Sequence, residues 1–446
     1  MLLIRVRLVF VFFLLNLICI WKPGTGLAEP TPTTLIPLQP VIDRAQEGDT
    51  ILLSPGTYLG PVTIDKKISI QSSGSVTLVN NTQESAISIH ANGVLLQGLN
   101  IEQNGDGESA GVELHANDVQ LKELVIHTKG YGILLRDSNR TLIQNNRISG
   151  FEQNIGKPEQ KGNGIDLYNS HDNQILGNKI TSMRDAIYME KGRNETIKGN
   201  QISYSRYAIH CMYIDDSLVS HNEGEHNFTG AMVMVVRNTT VSDNSFRKQN
   251  ENVYAQGMLL YDVQKSVIKS NVLEGNRVGI YMENASDNQL SDNVLLQNFV
   301  GIQMIQSEQN LLQHNAFVSN VVDTANKDSS NQITGNYWDS FQGIDITNDG
   351  FSDISYSMNS FYQNVISSNA AYQLFFQSPG MTFLSEIFTG DQKQGTRDNA
   401  PMMKMDIGRE AGHGHATAND NRKVVTMGVM LLLAAISTII IGGIRK

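Results

Sequence analysis

Short apolar segments recur along most of this chain at a nearly constant interval, and each begins with Gly or Ala. They begin at Ala86, Gly111, Gly132, Gly164, Ala186, Ala208, Gly230, Gly257, Gly279 and Gly301. Five of the nine intervals are 22 residues and one is 21, while the other three carry insertions. Because no helical periodicity competes with this repeat, the interval predicts stacked β-coils that share one core.

Asparagine recurs in the same phase as these segments. The column consists of Asn178, Asn200, Asn222, Asn244, Asn271, Asn293, Asn315 and Asn336. Such a column is expected where every coil makes the same turn and the side chains stack over one another. The two patterns together predict an all-β chain that folds as a right-handed parallel β-helix with coils of about 22 residues.

Side chains alternate between the two faces of a strand, so the repeat gives each position a direction. Counted from the opening Gly or Ala as zero, the first and third positions are apolar in every coil and are predicted to point inward. Five of these positions carry sulfur: Met189, Cys211, Met258, Met282 and Met304. We interpret them as core filling, because thioethers and free thiols pack well in irregular interiors.

The second and fourth positions are predicted to point outward, and on two successive coils they carry metal-ligand side chains. His210 and Met212 belong to one coil, and Met232 and Met234 belong to the next. Neighbouring coils lie about 4.8 Å apart and alternate residues of a strand about 7 Å apart, so the four should form a square on the outer surface. We call this group the His/Met square. Thioethers with an imidazole suit Cu(I).

The alternative for the His/Met square is an apolar patch that the C-terminal segment or a partner protein covers. The imidazole favours the metal site, since a patch that only packs against another surface gains little from a polar ring. A five-residue insertion follows the square, and its loop KQNENVY could fold beside the site. His221 and His226 are predicted corner residues that could act as outer ligands.

Three weaker constellations also carry ligand-type side chains. The C-terminal tail contains residues that would make a flexible segment able to bind a soft metal ion, namely Met402, Met403, Met405, His413 and His415. An ordinary linker is the simpler interpretation. His90 and His115 share an outward column on adjacent coils, but two ligands alone are a weak signal. The oxygen ligands around Gly350, from Asp345 to Asp353, suit calcium, although the spacing is not that of an EF-hand and a turn-rich loop is the alternative.

Both ends of the chain carry apolar segments of targeting type. Arg5 and Arg7 precede an apolar stretch that ends in small residues at Ala28, which predicts a secretory signal. Residues 424–444 form an uncharged run long enough to span a bilayer as a helix. The basic residues after this run are predicted to stay in the cytoplasm, so the body of the protein lies in the periplasm or on the outer membrane face, anchored by its C-terminus.

The predicted division of the chain follows from these features. It comprises a signal peptide at 1–28, an N-terminal cap and first coils at 29–85, β-helix repeats at 86–356, an extension and linker at 357–423, and a transmembrane helix at 424–444. The segment PLQPVIDRAQEGDTILLSPGTY is predicted to form a short helix and a strand that cover the open end. The net charge of -10, without a basic block, argues against nucleic acid as a partner. After signal cleavage Cys211 is the one remaining cysteine, so no intramolecular disulfide is expected.

The coils, the terminator GNYWDSFQGIDITNDGFSDISY and the pair HCM and AMVM resemble the NosD family over roughly residues 37–384. NosD proteins are secreted β-helix accessory factors for copper-cofactor assembly in nitrous oxide reductase. The resemblance implies a chain that receives copper and helps deliver it to the reductase. It also implies three partners, namely a membrane ABC transporter, a copper-donating lipoprotein chaperone and the reductase. The added C-terminal span departs from relatives thought of as soluble periplasmic proteins.

Two classes of function compete at this point. The main hypothesis is a copper-binding assembly factor that is not an enzyme. The alternative is a β-helix polysaccharide lyase, hydrolase or epimerase acting on acidic polysaccharide, which needs outward acids clustered on adjacent coils. Asp166 and Glu190, with Tyr168 and Tyr188, offer a thin cluster of that kind. A purely structural surface protein would explain the repeat but not the His/Met square.

Overall fold

The computed structural model describes residues 35–105, 107–151, 161–249, 255–357, 380 and 397–405. Over these ranges the chain winds into a right-handed parallel β-solenoid of about 13 turns. Each full turn contributes one strand to each of three parallel sheets, and strands of successive turns pair in register. The predicted all-β parallel β-helix is therefore confirmed.

The three sheets run the length of the solenoid. Sheet 1 contains Leu35–Pro37, Gly56–Leu59, Val76–Asn80, Asn100–Gln103, Val125–Thr128, Arg147–Gly150, Lys179–Thr181, Gln201–Ser203, Glu223–Glu225, Ser245–Arg247, Val272–Glu274, Val294–Leu296, Ala316–Val318 and Tyr337–Trp338. Sheet 2 contains Val62–Ile64, Ile87–Ile89, Ala110–Leu114, Tyr131–Arg136, Ile165–Tyr168, Asp185–Glu190, Tyr207–Met212, Thr229–Arg237, Gln256–Gln264, Val278–Glu283, Val300–Ile305 and Val322–Lys327. Sheet 3 contains Thr50–Leu53, Ser69–Ser72, Leu95–Gln97, Gln120–Lys122, Leu142–Gln144, Gln174–Leu176, Thr196–Lys198, Leu218–Ser220, Thr240–Ser242, Val267–Lys269, Gln289–Ser291, Glu308–Gln313 and Ser330–Thr334.

The predicted inward positions of sheet 2 fill the core. Every residue at the first and third positions of the ten repeats is buried, and this includes the five sulfur-bearing side chains. Cys211 is 0 % exposed, and burial raises the pKa of its thiol to about 12, with a smaller contribution from Glu195. The thiol is therefore a core group and not a candidate ligand at neutral pH.

The predicted asparagine column forms a continuous hydrogen-bonded ladder. In each turn the side-chain amide of one asparagine donates to the Oδ1 atom of the next, as Asn200 does to Asn222 at 2.9 Å. The same Oδ1 accepts the backbone N–H of Asn200 at 3.0 Å. All these residues are buried, so the ladder satisfies polar groups that the turns would otherwise leave unpaired.

Glycine opens the repeat because the next coil approaches its backbone closely. A Cβ on Gly132 would lie 2.3 Å from the carbonyl oxygen of Gly164, and one on Gly230 would lie 2.4 Å from that of Gly257. At these two positions a Cβ would force the neighbouring coils to shift, whereas the coils that open with Ala86, Ala186 and Ala208 accommodate one. The glycines that mark the repeat in the sequence therefore reflect close packing between successive turns.

The C-terminal end of the solenoid is closed by a segment distant in sequence. Arg397–Asp398 pairs antiparallel with Tyr356–Ser357, which places Asp398 beyond the last rung of the asparagine ladder. Its buried carboxylate accepts hydrogen bonds from Gly335 N at 3.0 Å, Asn336 N at 2.8 Å and the Trp338 indole at 3.1 Å. The acid thus takes the place that another asparagine would occupy in a further turn.

At the other end, the helix Gln39–Arg44 precedes the coils and is followed by the strand Thr50–Leu53. Leu38 and Ile42 are each 1 % exposed and join the solenoid core. That this segment acts as a cap stays a prediction. Among the residues described here no helix is long and apolar enough to cross a membrane. The predicted signal peptide and the run at 424–444 lie outside the described residues and stay predictions.

Candidate metal centre

The His/Met square lies on the outer face of sheet 2. Strand Tyr207–Met212 carries two of its residues and strand Thr229–Arg237 carries the other two. The strands pair in parallel with His210 opposite Met232 and Met212 opposite Met234. The structure therefore places the four side chains on adjacent rungs of one face, and the three methionines are half-buried there.

His210 is more enclosed than the alternation of faces predicted. It is only 7 % exposed, because the rings of Tyr188 and Tyr207 contact it edge-on with centroid distances of 4.9 and 5.1 Å. The expectation that this histidine lies open on the surface is therefore wrong. His210 does point outward, but the rings of Tyr188 and Tyr207 cover it. The repeat pattern predicts the direction of a side chain but not how far its neighbours bury it.

A buried carboxylate fixes the orientation of this imidazole. The Nδ1 atom of His210 lies 3.0 Å from Oδ2 of Asp185, which is 1 % exposed. Arg206 holds the same carboxylate through two hydrogen bonds of 2.7 Å. Burial alone would raise the pKa of Asp185, but the hydrogen bonds from His210 and Arg206 outweigh it and keep that pKa below its usual value. Asp185 is therefore an anion at neutral pH.

This arrangement determines which nitrogen of His210 is available. Because an anionic carboxylate only accepts hydrogen bonds, the neutral imidazole carries its proton on Nδ1. Nε2 then presents a lone pair, and this atom is buried with no hydrogen-bond partner among the described residues. A buried nitrogen without a partner is costly unless it binds something. A carboxylate on the far nitrogen is the usual support for a metal-binding histidine.

Tyr188 connects the square to the preceding coil. Its hydroxyl donates to Oε2 of Glu190 at 2.7 Å and lies 3.7 Å from the sulfur of Met212. Burial and the adjacent Glu190 raise the pKa of this phenol, so it stays protonated. The tyrosine therefore contacts both kinds of candidate ligand, the imidazole with its ring and the thioether with its hydroxyl.

The backbone corner beside the square is strained. Tyr213 and Val235 directly follow Met212 and Met234, and both adopt left-handed conformations with φ of 53° and 52°. In other coils this corner holds residues that accept the conformation more readily, such as Asp137, Asn169, Asp262 and Asn284. A bulky residue in this region costs on the order of 1–3 kcal/mol. Tyr213 and Val235 therefore place large side chains next to the square, and their backbone conformation lowers local stability.

The two corner histidines, His221 and His226, are exposed. They lie on either side of the sheet 1 strand Glu223–Glu225, and His226 is at the corner that leads to the sheet 2 strand Thr229–Arg237. His226 stacks on Tyr204 at 5.3 Å. Both are therefore solvent-facing turn residues, and a role as outer ligands stays a prediction. Most of the loop KQNENVY lies outside the described residues.

The other two constellations of ligand-type residues are also separate from the square. Met402 pairs with Tyr337 at the C-terminal end of the solenoid, four sheet 2 strands beyond Met234, while His413 and His415 lie outside the described residues. In the loop predicted to bind calcium, the carboxylate of Asp345 accepts the backbone N–H groups of Asp349 and Gly350. These are turn contacts, and the calcium site is not supported.

The acids expected of a polysaccharide enzyme are engaged in other contacts. Asp166 is 4 % exposed, and its carboxylate binds Arg136 and Asn163, each at 2.7 Å. Glu190 accepts the hydroxyl of Tyr188. Asp166 is thus held in an ion pair with Arg136, and one oxygen of Glu190 is held by Tyr188.

Sequence reasoning missed Asp185, Arg206 and Tyr207. Asp185 precedes its coil's opening alanine and contacts a histidine 25 residues later, diagonally across two strands. The register alone would have placed Asp185 opposite Tyr207 and one coil from His210. The signal that could have identified Asp185 is its charge, because the position directly before the opening Gly or Ala holds an uncharged residue in the other nine repeats.

Comparison with known proteins bears on the same region. The family model described as "Periplasmic copper-binding protein (NosD)" matches residues 151–351, which contain the whole square. A model for the right-handed β-helix region matches residues 66–213. A curated relative from Stutzerimonas stutzeri, the "Probable ABC transporter binding protein NosD", is 26% identical over 86% of this chain and 92% of its own length. Over residues 151–351 the chain is therefore similar to the NosD family. The Pseudomonas aeruginosa NosD of the same description is 25% identical over 86% of this chain and 93% of its own.

Solved structures share the fold of this chain. The A-module of the mannuronan C-5 epimerase AlgE6 from Azotobacter vinelandii superposes with a TM-score of 0.54 at 12% identity, covering 67% of this chain and 93% of that one. A family 28 exopolygalacturonase from Yersinia enterocolitica gives 0.52 at 11% identity, covering 67% and 75%. At such identities the likeness concerns the fold alone.

Proposed function

We propose that this chain is an extracytoplasmic copper-binding assembly factor, not an enzyme, and that the His/Met square is its Cu(I) site. The copper is cargo: the chain receives it and helps deliver it to nitrous oxide reductase, working with an ABC transporter and a copper-donating lipoprotein chaperone. The description of the family supports copper binding, and the printed names of the relatives support the transporter link. The remaining partners rest on the family resemblance.

One observation carries the site assignment: the buried, unpartnered Nε2 of His210 beside three outward thioethers. A purely apolar patch would gain nothing from a buried imidazole held by an ion-paired aspartate. Cu(I) accepts thioether and imidazole ligands and has little need of hard oxygen donors. In the described residues no group of three or more His, Cys, Asp or Glu converges on one point, so the candidate depends on its methionines.

A Cu(I) competition assay distinguishes a metal site at the His/Met square from an apolar patch that only packs against another surface. The purified full chain is titrated under reducing, oxygen-free conditions against a chromogenic Cu(I) chelator, beside Met212→Leu/Met234→Leu and His210→Asn. Leucine keeps the apolar surface and removes the sulfur, so a copper site should lose affinity by a factor of at least about ten. Leu259→Ala changes the next side chain in the outward column of His210 and Met232, one coil later, and should leave affinity unchanged.

The outcomes are distinct. Loss of affinity in the leucine variant, with an unchanged Leu259→Ala control, supports the square as the site. Equal affinity in the leucine variant and the parent removes the thioethers from the proposal and favours the covered-patch alternative. Thermal unfolding of every variant shows whether a loss of affinity reflects the ligand or the fold.

A further inference from the structure

A pocket and two histidines lie on the same outer face of sheet 2, far from the His/Met square. His90 and His115 follow the strands Ile87–Ile89 and Ala110–Leu114 on adjacent coils. Their ring centroids are 5.9 Å apart, and their side chains are 48% and 46% exposed. We call them the imidazole pair. His115 and Met212 share a column but are four coil steps apart, which is about 20 Å.

Each imidazole of this pair is held by its own carboxylate. Nδ1 of His90 lies 3.0 Å from Oδ1 of Asp65, and Nε2 of His115 lies 3.0 Å from Oε1 of Glu113. The second oxygen of Glu113 accepts the hydroxyl of Ser85 at 2.6 Å, and that serine also accepts the N–H of Ala110 at 3.1 Å. These contacts fix the orientation of the rings and commit one nitrogen of each.

The opposite nitrogens remain available. Nε2 of His90 and Nδ1 of His115 have no hydrogen-bond partner among the residues that the structure describes. Carboxylates on the committed nitrogens place the protons there and leave lone pairs on the opposite atoms. An imidazole supported in this way from behind is the arrangement in which histidine binds metals. Unlike an isolated surface histidine, each member of the pair is already oriented.

The pocket beside the pair is acidic. It has a volume of about 540 Å³ and is lined by Gln83, Glu84, Ser85, Ser88, Glu108, Ser109 and Glu113. Three of these are glutamates, and none of the described lining residues is basic. Two of the lining residues, Ser88 and Glu113, precede His90 and His115 by two residues in the sequence, and Glu113 contacts His115 directly.

We propose that the imidazole pair and this pocket form a second metal site, which takes a divalent cation of borderline softness such as Zn²⁺ or Cu²⁺. The ligands are Nε2 of His90 and Nδ1 of His115, with water in the remaining positions and with Asp65 and Glu113 as positioning residues. Nitrogen donors with nearby carboxylates suit such ions, whereas thioethers are absent. The acidic pocket raises the local cation concentration. The two sites on one face therefore differ in the class of ion that they select.

Metal competition with matched histidine variants tests the second site. The full chain, purified without a polyhistidine tag, is titrated with Zn²⁺ against a chromogenic chelator, and with Cu²⁺ under electron paramagnetic resonance. His90→Ala/His115→Ala should lower affinity by at least about tenfold and remove the nitrogen coupling from the Cu²⁺ spectrum. His127→Ala, which removes an exposed imidazole from sheet 1, and Met212→Leu/Met234→Leu should both leave the binding unchanged.

The result that overturns the proposal is Zn²⁺ and Cu²⁺ affinity that is unchanged in the double histidine variant, or lost equally in His127→Ala. Should the double alanine variant unfold, Asp65→Asn/Glu113→Gln keeps both imidazoles and removes only their carboxylates. That variant should still fold and bind about tenfold more weakly, and unchanged binding there overturns the proposal as well. Met212→Leu/Met234→Leu is measured in parallel, so a negative result for the second metal site is distinguishable from a negative result for the Cu(I) site.

Discussion

Glu195 is a buried acid that should make the stability of the solenoid fall as pH rises. It is 1 % exposed and occupies a rung in a stack of polar side chains between Asn173 and Ser217. Asn173 donates to its carboxyl group from the backbone N–H at 3.1 Å and from the side-chain amide at 3.3 Å. Burial raises the pKa of Glu195 to about 9, although these hydrogen bonds act in the opposite direction.

The sign and size of the effect follow from the two pKa values. The unfolded chain releases this proton near pH 4.5, whereas the folded chain keeps it up to about pH 9. Between these values the folded state binds the extra proton, so the free energy of unfolding falls as pH rises, by about 1.4 kcal/mol per pH unit. At pH 7 the loss amounts to about 3 kcal/mol relative to acid conditions, as an upper estimate.

The perturbation is Glu195→Gln, which keeps an oxygen acceptor for Asn173 and removes the ionisation. The variant should match the parent near pH 4 and exceed its stability by about 3 kcal/mol at pH 7. Urea unfolding followed by circular dichroism at a series of pH values measures this difference. Glu223→Gln, at an exposed position of sheet 1, serves as the control and should show no such trend. A difference between Glu195→Gln and the parent that does not grow from pH 4 to pH 8 would refute the reasoning.

Three further predictions concern the site, the C-terminal closure and the core thiol. Asp185→Asn removes the anionic support of His210 and should weaken Cu(I) binding by about ten- to a hundredfold in the chelator assay, and unchanged affinity would contradict that role. Asp398→Ala removes the acceptor that Gly335, Asn336 and Trp338 share at the end of the ladder and should destabilise the closure by roughly 2–4 kcal/mol. Trp338 emission should shift to the red in a Trp21→Phe background, and an unshifted spectrum would count against this role. Cys211 should not react with a thiol reagent at pH 8 until denaturant is added, because burial raises the pKa of its thiol to about 12, and rapid labelling of the native chain would contradict its placement in the core.

The fold was largely predictable because a solenoid repeats one local rule. Each turn meets only its neighbours, so the spacing of Gly132, Gly164 and the later glycines records a contact that recurs. The asparagine ladder is visible in the sequence for the same reason. The closure by Asp398 was not predictable, since it depends on a segment about 60 residues from the ladder it completes and breaks the repeat.

The candidate site likewise has features that the sequence determines and features that only the tertiary structure determines. The sequence by itself determined that His210, Met212, Met232 and Met234 share one face on adjacent coils, because strand alternation and a 22-residue period are local properties. Only the tertiary structure decided that His210 is enclosed by two tyrosine rings and held by Asp185, and that Nε2 is the nitrogen left without a partner. Those features depend on side-chain volume and on diagonal contacts between coils, and a repeat pattern specifies register without specifying either.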